Sequence, residues 1–228
     1  MSNLAVRDDG ALRIEEFDMN NFFYSDSFVF KKITLKEEIY TLFEIIFALT
    51  LLLLLSPLMI LVAVAIKLSM PGPVFYKQVR VGKDAKPFNI FKFRSMVNNA
   101  ESATGAILAT DNDPRITKLG KFLRASHIDE LPQLFNVLLG DMAFVGPRPE
   151  RPEFVNTYVE TIPLYKRRDE VKPGITGLAQ ICLPYDATAE EKLEYDLYYI
   201  DQKGSLLFNV LISYYTGIKM LNFSKFMK

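Results

Sequence analysis

The chain reads as a mainly helical α/β domain carried on a membrane-embedded helix. Three observations carry this reading. An uncharged run of 22 residues extends from Ile45 to Ile66, two short extended stretches flank Gly82, and apolar residues recur at helical spacing in three later segments. The 228 residues suffice for one ordinary domain with an attachment. Half of them are apolar and 24% are charged, too hydrophobic a balance for a mainly disordered chain. Lysine plus arginine number 27, as do aspartate plus glutamate, which disfavours a polycationic nucleic-acid binder. Cys182 stands alone and cannot form an internal disulfide, and with His127 as the one histidine there are too few soft ligands for a structural zinc site.

Along the chain, residues 1–30 come first as an acidic segment expected to be loosely ordered. Arg7 and Arg13 stand there against six carboxylates. The segment has neither a signal-peptide layout nor a glycine at position 2 for myristoylation. Residues 31–70 form the membrane-embedded part. A helix over Ile45–Ile66 would reach roughly 33 Å at about 1.5 Å per residue, comparable with a hydrocarbon core. Ser56-Pro57 is expected to kink it, because proline offers no N–H to the Leu53 carbonyl and its ring presses on that group. Ser56 is the local candidate to satisfy what proline frees. Lys31, Lys32 and Lys36 precede the run, and Lys67, Lys77, Arg80, Lys83 and Lys86 follow it. Positive charge on both sides favours keeping both ends in the cytoplasm, so a re-entrant helix is preferred to one that spans the bilayer.

Residues 71–228 then form the cytoplasmic domain. Pro71-Gly72-Pro73 turns the chain, and Val74–Val81 and Phe88–Phe93 suggest a hairpin. Ile116–Ala125 reads as a helix with Ile116, Leu119 and Leu123 on one face. A second helix is marked by Pro132 in its first turn, by Leu134, Phe135, Leu138 and Leu139, and by Gly140 as a terminator. Gly146-Pro147 and Pro173-Gly174 read as turns. Between Lys67 and Ala125 eleven basic residues face four acidic ones, which points to an anionic partner or to a surface lying on anionic lipid. Near the C-terminus Leu206, Leu207, Val210, Leu211, Tyr214, Tyr215 and Ile218 share helical spacing, followed by Lys219 and Lys225. That face suits core packing or an amphipathic helix at the membrane interface.

Asp129 and Glu130 stand just before the helix that begins near Pro132. Its free N–H groups and positive dipole end favour ionised carboxylates and a bound phosphate there. The alternative is an ordinary acidic N-cap.

Four ordered blocks give the chain a family likeness: GPVFYKQVRVG (72–82), FKFRSM (91–96), ITKLGKFLRASHIDELPQLFNVLLGDMAFVGPRPE (116–150) and VKPGITGLAQ (171–180). With the Ser-Pro-broken helix before them, they resemble the bacterial sugar transferases, the monotopic polyprenyl-phosphate phosphoglycosyl transferases. The likeness runs from about Lys31 to the last helices. It implies transfer of a sugar 1-phosphate from a UDP-sugar to undecaprenyl phosphate, with release of UMP, at the cytoplasmic face of the bacterial inner membrane. It further implies that Asp129 is the nucleophile forming a phosphosugar-aspartate, and that Asp129 and Glu130 are the catalytic pair and anchor Mg²⁺. Lys92, Arg94, Arg124 and Arg148 match the family's basic positions and are expected to hold diphosphate oxygens. Glu150 is expected to bind a hydroxyl or organise Arg148, and Arg168 and Gln180 are substrate candidates by their nearness to VKPGITGLAQ. His127 and Cys182 are expected to be structural. The expected partners are the UDP-sugar, undecaprenyl phosphate and membrane lipid, with no nucleic acid; homo-oligomerisation is left open. A spanning helix with the same chemistry, and a membrane-anchored scaffold that has lost turnover, are the rival readings.

Overall fold

The structure is a computed structural model that describes residues 37–98, 100, 105, 113–184, 186–202 and 205–221. The acidic segment 1–30, the flanking Lys31, Lys32 and Lys36, and Lys225 lie outside the described residues.

The uncharged run lies within helix α1, Glu37–Ser69, 33 residues long. At 1.5 Å per residue it measures about 50 Å. Among the described residues it is the one helix long and apolar enough to cross a membrane. The helix continues through Pro57 as one element. As expected of Ser56, its hydroxyl donates to the Leu53 carbonyl at 2.8 Å, filling the acceptor that Pro57 leaves open.

One stripe of α1 is buried. Ala48, Leu52, Met59, Val62 and Ile66, with Met70 just beyond, share a single hydrophobic cluster with Phe88, Ile90, Phe93, Leu123, Leu134, Val137 and Met142. Their recurring spacings of three, four and seven residues place them along one side of the helix. Leu53, Leu54, Ile60, Leu61 and Leu68, on other sides, are exposed. Each aliphatic side chain removed from water contributes on the order of 1.5–3 kcal/mol. The stripe therefore makes α1 an integral part of the domain's core as well as an attachment.

Polar contacts fix α1 at both ends. Near its start, Glu44 Oε1 accepts the Phe144 N–H at 2.8 Å and the Tyr40 hydroxyl accepts from Asn209 Nδ2 at 2.8 Å. Past its end, the Arg94 guanidinium donates to the carbonyls of Met70 and Pro71, each at 2.8 Å. These carbonyls follow the last turn, where a cation also complements the helix dipole.

The hairpin forms as expected, with β1 (Phe75–Val81) antiparallel to β2 (Pro87–Phe93) in the register Phe75↔Phe93 to Val81↔Pro87. After it come α2 (Lys118–Ala125), a 3-10 turn at Ile128–Glu130, and α3 (Gln133–Leu139). Thr117 caps α2 by accepting the Gly120 N–H at 2.9 Å, and Gly140 ends α3 in the left-handed conformation at φ 82°. Gly120 is demanded by packing, since a Cβ there would collide with the Ser95 backbone. The remaining elements are β3 (Ala143–Val145), α4 (Pro152–Thr161), β4 (Gly174–Thr176), α5 (Leu178–Cys182), α6 (Ala189–Asp201) and α7 (Leu206–Leu221), with 3-10 turns at Lys83–Ala85 and Tyr165–Glu170.

Of the two positions taken as turns, Gly146 is a bend that opens the 147–150 loop, whereas Pro173-Gly174 is corrected: Gly174 belongs to β4, in a parallel pair in which Ala143 faces Gly174 and Val145 faces Thr176. Three-residue strands carry too little alternation to be seen in a sequence. On α7 the face named from its spacing divides. Phe208, Asn209 and Ile212 are the buried residues, Tyr215 packs partly buried against the same core, and Leu207, Val210, Tyr214 and Ile218 are exposed. The resulting architecture is mostly helical with two small sheets.

Candidate active site

The acidic pair sits in the 3-10 turn between α2 and α3, just before the helix that Pro132 opens, as its position in the sequence suggests. His127 opens that turn with φ 56°, a left-handed conformation uncommon for a residue with a side chain. Its N–H donates to the Arg124 carbonyl and its own carbonyl accepts the Glu130 N–H, both at 3.1 Å. His127 thus shapes the backbone, in keeping with its structural reading. No side-chain cap forms at this turn or at the start of α3. Neither carboxylate is therefore spent as an N-cap.

Three elements bring charges to the pair. Strand β2 supplies Lys92, whose Nζ donates to Glu130 Oε1 at 2.6 Å. The Gly146–Glu150 loop supplies Arg148, whose guanidinium donates to the same oxygen at 2.7 Å. The end of α2 supplies Arg124, whose field reaches Asp129. Strand and helix are held in register by Asn136, which has no exposed surface. Its Oδ1 accepts the Phe91 N–H at 3.0 Å and its Nδ2 donates to the Asn89 carbonyl at 2.7 Å. The side chain takes the place of a third strand on β2, next to Lys92. Sequence reasoning missed Asn136; a polar residue at a core-facing position within the apolar run of α3 was the available signal.

The two carboxylates occupy different electrostatic states. Burial alone would raise the carboxyl of Glu130, but the charges and hydrogen bonds of Arg148 and Lys92 hold it well below the usual range. Burial also acts on Asp129 and here prevails: its carboxyl is pushed up to about 6, with Lys92 opposing the rise and Glu130 adding to it. Asp129 is 7% exposed, and among the described residues its carboxylate makes no hydrogen bond or ion pair. Glu130 Oε2 accepts no hydrogen bond among the described residues, whereas Oε1 takes two cations.

These three open carboxylate oxygens fit a hard divalent cation. Mg²⁺ takes one or two carboxylates and completes its shell with water and substrate phosphate oxygens, so Asp129 and Glu130 are the residues that would hold it.

The other expected site residues divide. Lys92, Arg124 and Arg148 gather at the pair. Arg94 does not: it is 4% exposed and both terminal nitrogens are committed to the end of α1. Arg168 is also turned inward, donating to Asp196 Oδ2 at 2.8 Å, the Tyr165 hydroxyl at 2.7 Å and the Arg148 carbonyl at 2.7 Å. Gln180 folds back within its own segment and donates to the Ile175 carbonyl at 3.1 Å. Glu150 meets Arg80 at 3.6 Å, and with Arg148, Pro149, Tyr165 and Arg168 it lines a shallow cleft beside the acidic pair's partner loop. Cys182 is buried and its thiol is pushed up to about 12 by that burial, so it is no nucleophile at neutral pH.

Comparison with known proteins agrees in kind. A family profile described as bacterial sugar transferase matches residues 35–223. The chain is 51% identical over 72% of its length to UDP-N-acetylgalactosamine-undecaprenyl-phosphate N-acetylgalactosaminephosphotransferase of Aeromonas hydrophila, covering 39% of that protein. It is 45% identical over 77% of its length to UDP-glucose:undecaprenyl-phosphate glucose-1-phosphate transferase of Escherichia coli strain K12, again covering 39%. It is 44% identical over 69% of its length to the exopolysaccharide production protein PSS of Rhizobium leguminosarum bv. phaseoli, covering 83% of it. The chain thus spans about two fifths of the first two relatives and most of the third.

Proposed function

This chain belongs to the bacterial sugar transferase family, and from that premise we propose that it transfers a sugar 1-phosphate from a UDP-sugar to undecaprenyl phosphate, releasing UMP. The step would initiate a membrane-bound glycoconjugate at the bacterial inner membrane. The observation that carries the reading is Asp129: a buried carboxylate with no hydrogen-bond or ion-pair partner among the described residues, in the field of Lys92, Arg124 and Arg148. A structural carboxylate in such company would be paired.

In the first half-reaction an Asp129 oxygen forms a bond to the sugar-linked phosphorus, and the bond from that phosphorus to the bridging oxygen breaks. The electron pair leaves with UMP. In the second, a phosphate oxygen of the lipid attacks the same phosphorus and the Asp129 carboxylate is regenerated. Glu130 never leaves its role: with its charge fixed by Lys92 and Arg148, it holds both cations toward the reacting diphosphate. Arg124, which makes no ion pair among the described residues, lies at the end of α2 beside exposed Phe122 and is the cation we assign to the lipid phosphate. Mg²⁺, held by Asp129 and Glu130, would neutralise the diphosphate so that an anionic nucleophile can approach it.

Contacts at both ends of α1 support a re-entrant or in-plane placement of that helix. Glu44 and Met70 touch one and the same domain, and the buried stripe between them follows the domain surface. A helix crossing the bilayer would carry one of these ends to the far side. Exposed Leu207, Val210, Tyr214 and Ile218 on α7 offer a second surface suited to the headgroup layer.

The test is purified protein with Mg²⁺, undecaprenyl phosphate and a panel of UDP-sugars. UMP release with one or more donors is expected; none across the panel, with lipid binding retained, would favour a membrane-anchored scaffold. The relatives' names specify different sugars, so the panel also identifies the donor. Cysteines placed at Glu38 and Leu68 should both resist labelling from outside intact cells. Reaction at one of them alone would establish a span.

A further inference from the structure

The loop that delivers Arg148 to Glu130 has no secondary structure across 147–150, yet each of its four carbonyls accepts a hydrogen bond. Pro147 accepts the Gly174 N–H and Glu150 accepts the Val81 N–H, each at 3.0 Å. The two carbonyls between them are taken by arginine side chains. Arg168 donates to Arg148 O at 2.7 Å, and Arg80 donates to Pro149 O at 3.0 Å. Pro147 and Pro149 have no N–H, so the loop cannot pair as a strand on its donor side.

We infer that Arg80 and Arg168 are positioning residues that act through Arg148: by clamping the backbone on either side of it, they fix its guanidinium on Glu130 and so set the catalytic pair. Neither is a substrate contact. Arg168 uses its three guanidinium nitrogens inside the protein, on Asp196, Tyr165 and Arg148, and its plane lies over the Tyr165 ring at 5.0 Å. Arg80 divides its guanidinium between Gln78 Oε1 at 2.7 Å and the loop. The planar fork explains the choice of residue, because it can hold its anchor and the loop carbonyl at once. Lysine would keep the charge and lose the second grip.

The inference is tested by Arg168→Lys and Arg80→Lys in the full-length protein, each alone and combined with Arg148→Ala. Hydrogen exchange of Gly146 and of the amides that bond into the loop, Gly174 to Pro147 O and Val81 to Glu150 O, should accelerate at least about fivefold in both lysine variants, while the other strand amides of the β1–β2 hairpin keep their protection. With a donor that supports UMP release, kcat should fall about tenfold and the KM for that donor change less than about threefold. In the Arg148→Ala background the same lysine substitutions should cost less than about twofold, since the residue they act through is gone. Tyr165→Phe, which removes one anchor of Arg168 and keeps the ring, is the milder variant should Arg168→Lys fail to fold, and should show the same pattern at smaller amplitude. Fully multiplicative effects with Arg148→Ala, or unchanged exchange in the loop, would overturn the inference. The exchange arm needs no turnover, so a failure of the functional reading above would appear separately, as absent UMP release with accelerated exchange.

Discussion

Around Arg148, two buried ionic clusters among the described residues meet, one at its guanidinium and one at its carbonyl, and they differ in how they are closed. Around Asp196, which is 2% exposed, Arg168 spends its guanidinium nitrogens on Asp196, Tyr165 and a carbonyl. Around Asp129 the cations are present but the carboxylate is left open. Both aspartates have their carboxyls raised by burial, and Arg168 opposes the rise in the first. Buried charge is thus common to the two sites. An unfilled carboxylate distinguishes the one suited to chemistry.

The sharpest way to break this comparison is Asp129→Asn. Transfer and any phosphosugar-protein adduct should be lost by at least about a thousandfold, measured as UMP release and by mass spectrometry of the intact protein. Stability should move the other way. A carboxyl raised from 3.8 to about 6 in the folded protein destabilises the fold as pH rises through that interval, because the unfolded chain ionises first. Removing it should stabilise the metal-free protein above pH 6 by at most about 3 kcal/mol, with the advantage vanishing below about pH 4. A variant less stable than wild type at pH 7.5 would mean that Asp129 is paired in solution.

Asp196→Asn should do the reverse. It leaves Arg168 charged and buried without its partner, which costs about 3–5 kcal/mol. Denaturant unfolding followed by circular dichroism would show it, and a loss below about 1 kcal/mol would put Asp196 on the same open footing as Asp129.

A smaller and graded effect is expected from pH. In the metal-free protein the Asp129 carboxyl should take up its proton near pH 6, read by infrared titration as the carboxyl signal lost in Asp129→Asn. Mg²⁺ held by the pair would favour the ionised form, so the same titration with Mg²⁺ should move to lower pH. A metal-free midpoint at or below about 4.5 would exclude an elevated Asp129 and with it the contrast between the two acidic neighbours, since Glu130 is held low.

The open cluster was far more legible in the sequence than the closed one, and the reason is physical. Asp129, Glu130, Lys92, Arg124 and Arg148 lie in contiguous motifs whose residue types suit phosphate chemistry, so their gathering could be anticipated. Asp196 is one acid among several on α6 and Arg80 one cation among eleven between Lys67 and Ala125. What makes each important is a single long-range bond, to Arg168 or to Pro149 O, that no local pattern encodes. Arg94 and Arg168 were misplaced for the same reason: a buried arginine holding carbonyls and one holding phosphate have the same sequence signature. The helices and the hairpin were legible because their periodicity is local, whereas β3 and β4 are too short and their pairing is non-local. Ser56-Pro57 announced a defect in α1, and the helix runs through it with the Ser56 hydroxyl on the Leu53 carbonyl.

Arg167 provides the last and smallest test, because it stands beside Arg168 and shares its chemistry but not its surroundings. It meets Glu170 at 3.0 Å and Asp201 at 2.8 Å, contacts about as short as those of Arg168. Its guanidinium and both partner carboxylates are exposed to solvent, where water and salt screen the attraction and side-chain entropy offsets it. Arg167→Ala should therefore leave the denaturant midpoint and UMP release within experimental scatter. Raising ionic strength should not change the difference between it and wild type. If Arg167→Ala cost as much as Arg168→Lys, distance alone would govern these pairs, and the distinction drawn from burial and closure between the two clusters would fail.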